Sequence, residues 1–198
     1  MIISNKQLCE LKGCLIFAVP WHRHLIYGAG VYAKLAYLVI EADEREVSGL
    51  LLNIPYTLIS LTYAKARRAL SQSGLRNLEV GFGGPSNTDM WYLILPPGRE
   101  VTSKPNLYSI ASFEVSNVCS LNQQMLELLG GSGISFIGRV VVDAAKFMEQ
   151  IGTLWFPFPL QSFHQLSCIE RTYDAYWAES RMTPGNFPEP AIDGYFLH

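Results

Sequence analysis

Two short segments, each ending in proline, contain the residue types best suited to contacting a small molecule. The segment Gly81-Phe82-Gly83-Gly84-Pro85 could bring bare backbone amides against a ligand, as glycine-rich loops do with phosphate. Asn53, in Asn53-Ile54-Pro55, offers a side-chain amide. No Lys-Ser/Thr pair follows the glycines and the G-x-G-x-x-G spacing is absent, so the segment is neither a P-loop nor a dinucleotide fingerprint. Two hypotheses follow: a ligand site formed by Asn53, Gly83 and Gly84, or a structural turn that needs glycine.

The other reactive residue types form no catalytic or metal-binding pattern. Neither a G-x-S-x-G nor an H-E-x-x-H motif occurs, and the acidic residues do not pair into an acid and a base by spacing alone. The cysteines and histidines lack the close pairs that zinc sites use. We therefore predict no catalytic residue, no metal and no cofactor, with the thiols reduced. The cysteines are Cys9, Cys14, Cys119 and Cys168, and the histidines are His22, His24, His164 and His198.

Composition favours a folded domain that does not depend on charge for binding. The chain has 198 residues, of which 49% are hydrophobic and 16% charged, and its net charge is −2. This excludes global disorder and argues against broad electrostatic binding of nucleic acid. The one basic cluster, Lys65-Ala66-Arg67-Arg68, is most simply a solvated helix end. A nucleic-acid role is therefore predicted to be absent or weak.

The sequence gives no signal for secretion and none for a membrane span. The first residues lack a secretory cleavage site, and no Asn-x-Ser/Thr acceptor occurs. Two long uncharged stretches, 47–64 and 151–169, contain Pro, Gly, Asn or His and are predicted to be buried strands and loops rather than membrane spans. We expect a cytoplasmic protein that does not bind membranes.

Short strands and helices are predicted to alternate along the chain. Continuous apolar runs bounded by Gly or Pro predict strands, and recurrence at helical spacing predicts helices. The turn residues 86–89 predict a hairpin or sharp reversal between the strands on either side, and Asp143 is a candidate N-cap. The predicted strands are 14–19, 31–40, 48–53, 78–82, 91–95, 108–113 and 134–142, with 155–159 extended; the predicted helices are 58–71, 119–129, 144–151 and 169–181.

Four blocks of this sequence, taken in order, resemble the YqgE/AlgH family of bacterial proteins. They are Gly13-Cys14-Leu15-Ile16-Phe17-Ala18-Val19-Pro20; Gly49-Leu50-Leu51-Leu52-Asn53-Ile54-Pro55; Val80-Gly81-Phe82-Gly83-Gly84-Pro85 with Trp91-Tyr92-Leu93-Ile94-Leu95-Pro96-Pro97; and Gly138 with Met148-Glu149-Gln150 and Trp155-Phe156-Pro157. The sequence departs from the family pattern at Ile54, at Pro96 and over residues 139–147. We therefore expect the fold to be shared and the surface around 139–147 to differ.

The resemblance implies an α+β fold: one domain over residues 1–182, with a curved, mixed or antiparallel sheet forming a small barrel-like core surrounded by helices. Residues 183–198 would be an irregular, Pro-rich tail. The resemblance also implies a cytoplasmic protein with a non-enzymatic regulatory or protein-interaction role. The alternative is a small-ligand-binding protein or hydrolase with a pocket at Asn53 and Gly83-Gly84-Pro85. The expected partner is an unidentified protein or small ligand, and a homo-oligomer is compatible with the sequence.

Overall fold

The computed structural model describes residues 11–18, 35–53, 68, 71, 80–97, 107–115, 133–152, 154–158 and 160–179. Within these residues lie eight strands and three helices. The strands are β1 (Leu15–Ala18), β2 (Ala36–Ala42), β3 (Glu46–Leu51), β4 (Val80–Phe82), β5 (Ser86–Leu95), β6 (Ser109–Glu114), β7 (Ile134–Asp143) and β8 (Trp155–Phe158). The helices are α1 (Ala144–Gln150), α2 (Phe163–Ser167) and α3 (Ile169–Glu179).

Contacts divide the chain into two compact units. The first comprises Met1–Gly49, Val141–Leu160 and Cys168–His198, and the second comprises Leu50–Val140 and Gln161–Ser167. Strand pairing in both units is mostly antiparallel, with one parallel pair in the second unit. This confirms the predicted α+β class with a mixed, largely antiparallel sheet.

The first unit is built around β1, which lies between β2 and β8. Leu15 is opposite Leu38 of β2 and Phe158 of β8, and both pairings are antiparallel. All four residues of β1 are buried, which is the environment that its continuous apolar sequence predicts. β2 also pairs with β3, giving the order β3-β2-β1-β8.

A tight turn at Asp43 joins β2 to β3. The Asp43 carboxylate accepts hydrogen bonds from the backbone N–H groups of Arg45 at 2.7 Å and Glu46 at 2.9 Å. Both bonds lower the pKa of the Asp43 carboxyl, the bond from Glu46 more than the bond from Arg45. Of the charged run 41–46, only residues 43–45 form the loop, because the ends of the run belong to β2 and β3.

In the first unit, a side-chain cap fixes the start of α1 and a buried hydrogen bond holds α3 against β1. Asp143 caps α1 and accepts a hydrogen bond from the Lys146 N–H at 3.0 Å, which confirms the predicted N-cap. α3 is fixed to β1 by the buried Tyr173, whose hydroxyl donates to the Ala18 carbonyl at 2.7 Å. Residues 139–147, where the sequence departs from the family pattern, form the end of β7, the cap and the first half of α1.

The second unit is built around β5 and β7. β5 pairs antiparallel with β6 on one side and with β7 on the other, and β4 runs parallel to β7. Trp91 of β5 is completely buried and its indole N–H donates to the Ser135 hydroxyl of β7. The buried second half of β5, Trp91 to Leu95, forms the core of this unit with Phe136 and Ile137.

The structure corrects one prediction and adds one helix. β4 and β5 do not form a hairpin: β7 lies between them, and residues 86–89 belong to β5 rather than to a turn. α2 had no strong sequence signal because only five residues form it. The predicted helix 119–129, most of the predicted helix 58–71 and the tail 183–198 lie outside the described residues.

Candidate functional site

The Gly83-Gly84-Pro85 segment carries the chain across strand β7. Phe82 of β4 is opposite Ile137 of β7, and Ser86 of β5 is opposite Arg139. Residues 135–137 of β7 pair with β4 and with β5 at once, so these two strands flank β7 on opposite sides. Three residues therefore pass over β7 at the level of Gly138. We call this feature the glycine crossing, formed by Gly83, Gly84 and Gly138.

The glycine crossing has no room for side chains. A Cβ atom on Gly83 would overlap the Gly138 carbonyl oxygen, and one on Gly138 would overlap the Gly84 carbonyl oxygen. A Cβ on Gly84 would overlap the backbone between Arg139 and Val140. Gly84 and Gly138 also have positive φ angles, of 151° and 75°. Glycine is thus required on both of the backbones that cross.

The polar backbone groups of Gly83 are used inside the sheet. Its N–H donates to the Ile137 carbonyl at 2.9 Å, and its carbonyl accepts from the Leu51 N–H at 2.9 Å. Both Gly83 and Gly84 are buried. This geometry is that of the structural turn, and a ligand site at these glycines stays a prediction.

Asn53 lies two residues after Leu51, whose backbone N–H donates to the Gly83 carbonyl. It is half-buried, in a bend two residues after Leu51, the last residue of β3. The Leu51–Gly83 hydrogen bond brings the end of β3 beside the glycine crossing. Ile54 and Pro55 lie outside the described residues, and a ligand contact by Asn53 stays a prediction.

A cluster of four aromatic side chains, which the sequence analysis did not single out, lies in the first unit. Phe17 of β1 contacts Phe158 of β8 and both Tyr173 and Tyr176 of α3, with ring centroids 5.2–5.5 Å apart. Phe158 and Tyr176 also contact each other edge to face, at 5.3 Å. The one sign of this cluster in the sequence is the pair of tyrosines, three residues apart on an amphipathic helix, because residues at that spacing share a helix face.

The members of this aromatic cluster differ in exposure. Phe17 and Tyr173 are buried, whereas Phe158 and Tyr176 are half-exposed. Partial burial raises the pKa of the Tyr176 phenol, so the neutral hydroxyl is retained well beyond neutral pH. The cluster therefore presents two fixed aromatic rings and a neutral hydroxyl at the surface of its unit.

Titratable residues are dispersed in the part of the chain that the structure describes. There, no three His, Cys, Asp or Glu side chains gather in a group that could hold a metal ion. Burial raises the pKa of the Cys14 thiol. No described helix has both the length and the apolar character needed to span a bilayer.

Two proteins are among those whose solved structures match this chain. The solution structure of AlgH from Pseudomonas aeruginosa, a UPF0301 protein, is 18% identical and aligns over 98% of this chain and all of its own, with a TM-score of 0.55. A crystal structure of a protein from Corynebacterium diphtheriae is 14% identical over 81% of this chain and 84% of its own, with a TM-score of 0.47. No protein-family model and no curated protein matches the chain.

The AlgH structure supports an AlgH-like fold for this chain, as the sequence resemblance predicted. The whole length of that protein aligns with this chain. At 18% identity the likeness concerns the fold, and what the protein does must be argued from its own residues.

Proposed function

We propose that this chain is a non-enzymatic regulatory or protein-interaction protein that binds another protein through the aromatic cluster of its first unit. The observation that carries the proposal is the fixed pair of half-exposed rings, Phe158 and Tyr176, supported by the buried Phe17 and Tyr173. Aromatic residues are enriched in protein interfaces because they bury a large area at a small cost in side-chain entropy. Rings already held by buried neighbours lose little further freedom on binding.

The alternative is the small-ligand-binding protein or hydrolase with a pocket at Asn53 and Gly83-Gly84-Pro85. Two observations count against it: the N–H and carbonyl of Gly83 are both bonded within the sheet, and the space beside Gly84 is filled by the backbone of β7. A ligand could use the Gly83 amide only after the hydrogen bond to Ile137 had broken. The protein-interaction role is therefore the better supported of the two.

Photo-crosslinking tests the proposed interface. A benzophenone amino acid is placed at Phe158 or at Tyr176 in living cells of the source organism, and at the exposed Lys146 of α1 as a control. The partner is identified by mass spectrometry and purified, and its affinity is then measured by calorimetry.

The expected result is one protein crosslinked from both aromatic positions and not from position 146. Its affinity should fall at least tenfold for Phe158→Ala or Tyr176→Ala, the scale of an interface hot spot, and stay unchanged for Lys146→Ala. Equal affinities for all three variants would refute the proposed interface. Turnover of a small substrate that Asn53→Ala abolishes would favour the alternative.

Three further expectations are part of the proposal. The protein is cytoplasmic, its curved sheet forms a small barrel-like core, and nucleic acid is not its partner. Of the basic cluster, Arg68 is exposed, while Lys65 and Arg67 lie outside the described residues. A gel-shift assay with random duplex at low salt should show no complex at micromolar protein, and tight binding lost on replacing the three cations with Ala would overturn this expectation.

A further inference from the structure

We infer that residues 183–198 of this chain bind the aromatic cluster of their own molecule and thereby regulate the access of the partner. We call these residues the tail. They lie outside the described residues, so what bears on them is their sequence and the place where α3 ends. The regulation rests on the proposed function, whereas the contact between the tail and the cluster needs no partner.

Two rings of the aromatic cluster form a fixed apolar surface. Phe158 and Tyr176 are half-exposed and contact each other edge to face, with ring centroids 5.3 Å apart. Both rings also pack against the buried Phe17, at 5.5 Å and 5.2 Å. Because buried neighbours already hold these rings, covering them costs little side-chain entropy and removes apolar area from water.

Helix α3 carries the chain to this surface. Tyr173 bonds Ala18 of β1, and Tyr176, about one turn later, contacts Phe158 of β8. α3 ends at Glu179, which is about 4.5 Å beyond Tyr176 along the helix axis. The chain therefore leaves α3 within one turn of the two half-exposed rings.

The tail is close enough in sequence to return to these rings. Phe187 is eight residues after Glu179, and eight residues span at most roughly 28 Å, several times the axial distance from Glu179 to Tyr176. Tethering at this length gives an effective concentration in the millimolar range. Contacts too weak to hold a separate peptide are therefore sufficient to hold the tail.

The composition of the tail fits an aromatic surface. Residues 186–190, Asn-Phe-Pro-Glu-Pro, place an aromatic ring next to a proline, with a second proline two positions later. Proline fixes φ and favours the polyproline II conformation, which loses little entropy on binding and which aromatic-lined surfaces recognise. In the docked state, Phe187 and Pro188 lie against Phe158 and Tyr176.

The docked tail competes with the partner because both cover the same two rings. The partner's apparent dissociation constant rises by the inverse of the fraction of molecules whose tail is undocked. A tail docked in about nine-tenths of the molecules therefore weakens partner binding about tenfold.

Photo-crosslinking within the purified full chain tests the contact. A benzophenone amino acid replaces Phe187, and an equal mixture of normal and heavy-isotope chains shows whether each crosslink lies within one molecule. Position 187 should crosslink to the peptides that contain Phe158 and Tyr176 of the same chain. Crosslinks only between chains would assign the surface to a second copy and overturn the inference, as would crosslinks that avoid both peptides.

Lys146 provides the control position for this experiment. α1 packs through Phe147 on Tyr37, which lies on the opposite face of the sheet from Phe17. Benzophenone at position 146 should therefore give no crosslink to the aromatic cluster.

Two single substitutions in the tail measure the regulation. Phe187→Ser should shift the amide NMR signals of β8 and α3, and the partner identified from Phe158 should bind this variant roughly three- to tenfold more tightly. Ile192→Ser, which leaves residues 186–190 intact, should do neither. Unchanged signals in Phe187→Ser would refute the contact, and shifted signals with an unchanged partner affinity would refute the regulation. The absence of any crosslinked partner at Phe158 would instead refute the proposed function, and with it the regulation, while the signals of β8 and α3 decide the contact on their own.

Discussion

At the scale of single residues, the glycine crossing explains why Gly83 and Gly84 stand together before Pro85. Two backbones pass at a distance that leaves no space for a Cβ atom, and Gly84 also has a φ of 151°. Gly84→Ala should therefore lower the free energy of unfolding by about 3 kcal/mol or more, since both overlap and backbone strain oppose it.

Gly152 provides a matched control for this substitution. It has a φ of 85°, and nothing lies within 4 Å of the position that its Cβ would take. Gly152→Ala should cost only about 1 kcal/mol, from backbone strain alone. Denaturant titration of the two variants measures the difference, and equal midpoints would mean that the crossing tolerates a side chain, in favour of a ligand role for Gly84.

Asp43 gives a second prediction at this scale, for pH dependence. The backbone N–H groups of Glu46 and Arg45 bond its ionised carboxylate and lower its pKa. Because the folded-state pKa is the lower one, its stabilising effect is present above the ordinary carboxyl pKa and is lost as pH falls through the lowered value. The thermal midpoint of the natural chain should exceed that of Asp43→Asn at neutral pH, and the gap should close in acid. A constant gap would contradict this assignment.

At the scale of elements, α1 depends on its cap. Asp143 accepts from the Lys146 N–H at the start of the helix. Asp143→Ala should cost about 1 kcal/mol of unfolding free energy, whereas Asp143→Asn, which keeps an acceptor, should cost only a few tenths. Chemical denaturation compares the two, and identical losses would show that the charge rather than the hydrogen bond is responsible.

The contact between α3 and β1 gives a prediction of the same kind. Tyr173→Phe removes the hydroxyl that bonds the Ala18 carbonyl and keeps the ring contact with Phe17. The buried carbonyl would lose its partner, so the expected loss is about 1–3 kcal/mol. Tyr173→Leu should cost more because the aromatic contact is lost too, and a Phe variant as stable as the natural chain would show that another group satisfies Ala18.

These elements also show what the sequence could predict. The cap at Asp143 and the buried strand β1 follow from residues within a few positions of one another, so local patterns were sufficient. The glycine crossing was not foreseen because it depends on β7, about fifty residues later in the chain. Turn-forming residues 86–89 suggested a hairpin, yet they lie where β5 shifts register against β7 between Ser86 and Trp91, with Asn87 at a φ of 52°. Irregular strands use turn chemistry too.

At the scale of the whole molecule, the resemblance and the described strands lead to the same fold, while the candidate sites differ in how well sequence could find them. Gly83 and Gly84 were conspicuous locally, and the structure gives them a packing role. The aromatic cluster draws on β1 and, more than a hundred residues later in the chain, on β8 and α3. Such a cluster is set by strand register and helix placement, which periodicity does not define.

Hydrogen exchange offers a prediction for the molecule as a whole. Three of the described strands are both paired on two sides and buried over five consecutive residues: residues 36–40 of β2, 47–51 of β3 and 91–95 of β5. Amides in such strands exchange only when a large part of the structure opens. The slowest amides should therefore lie in these three strands.

β6 provides the internal comparison for that experiment. It pairs with β5 alone among the described strands and is nowhere fully buried. Its amides should exchange at least tenfold faster than those of β5, because strands that pair on one side and are only partly buried open locally. The rates are measured by NMR after transfer to heavy water. Equal protection of β5 and β6 would contradict this order and mean that β6 opens only together with the core of its unit.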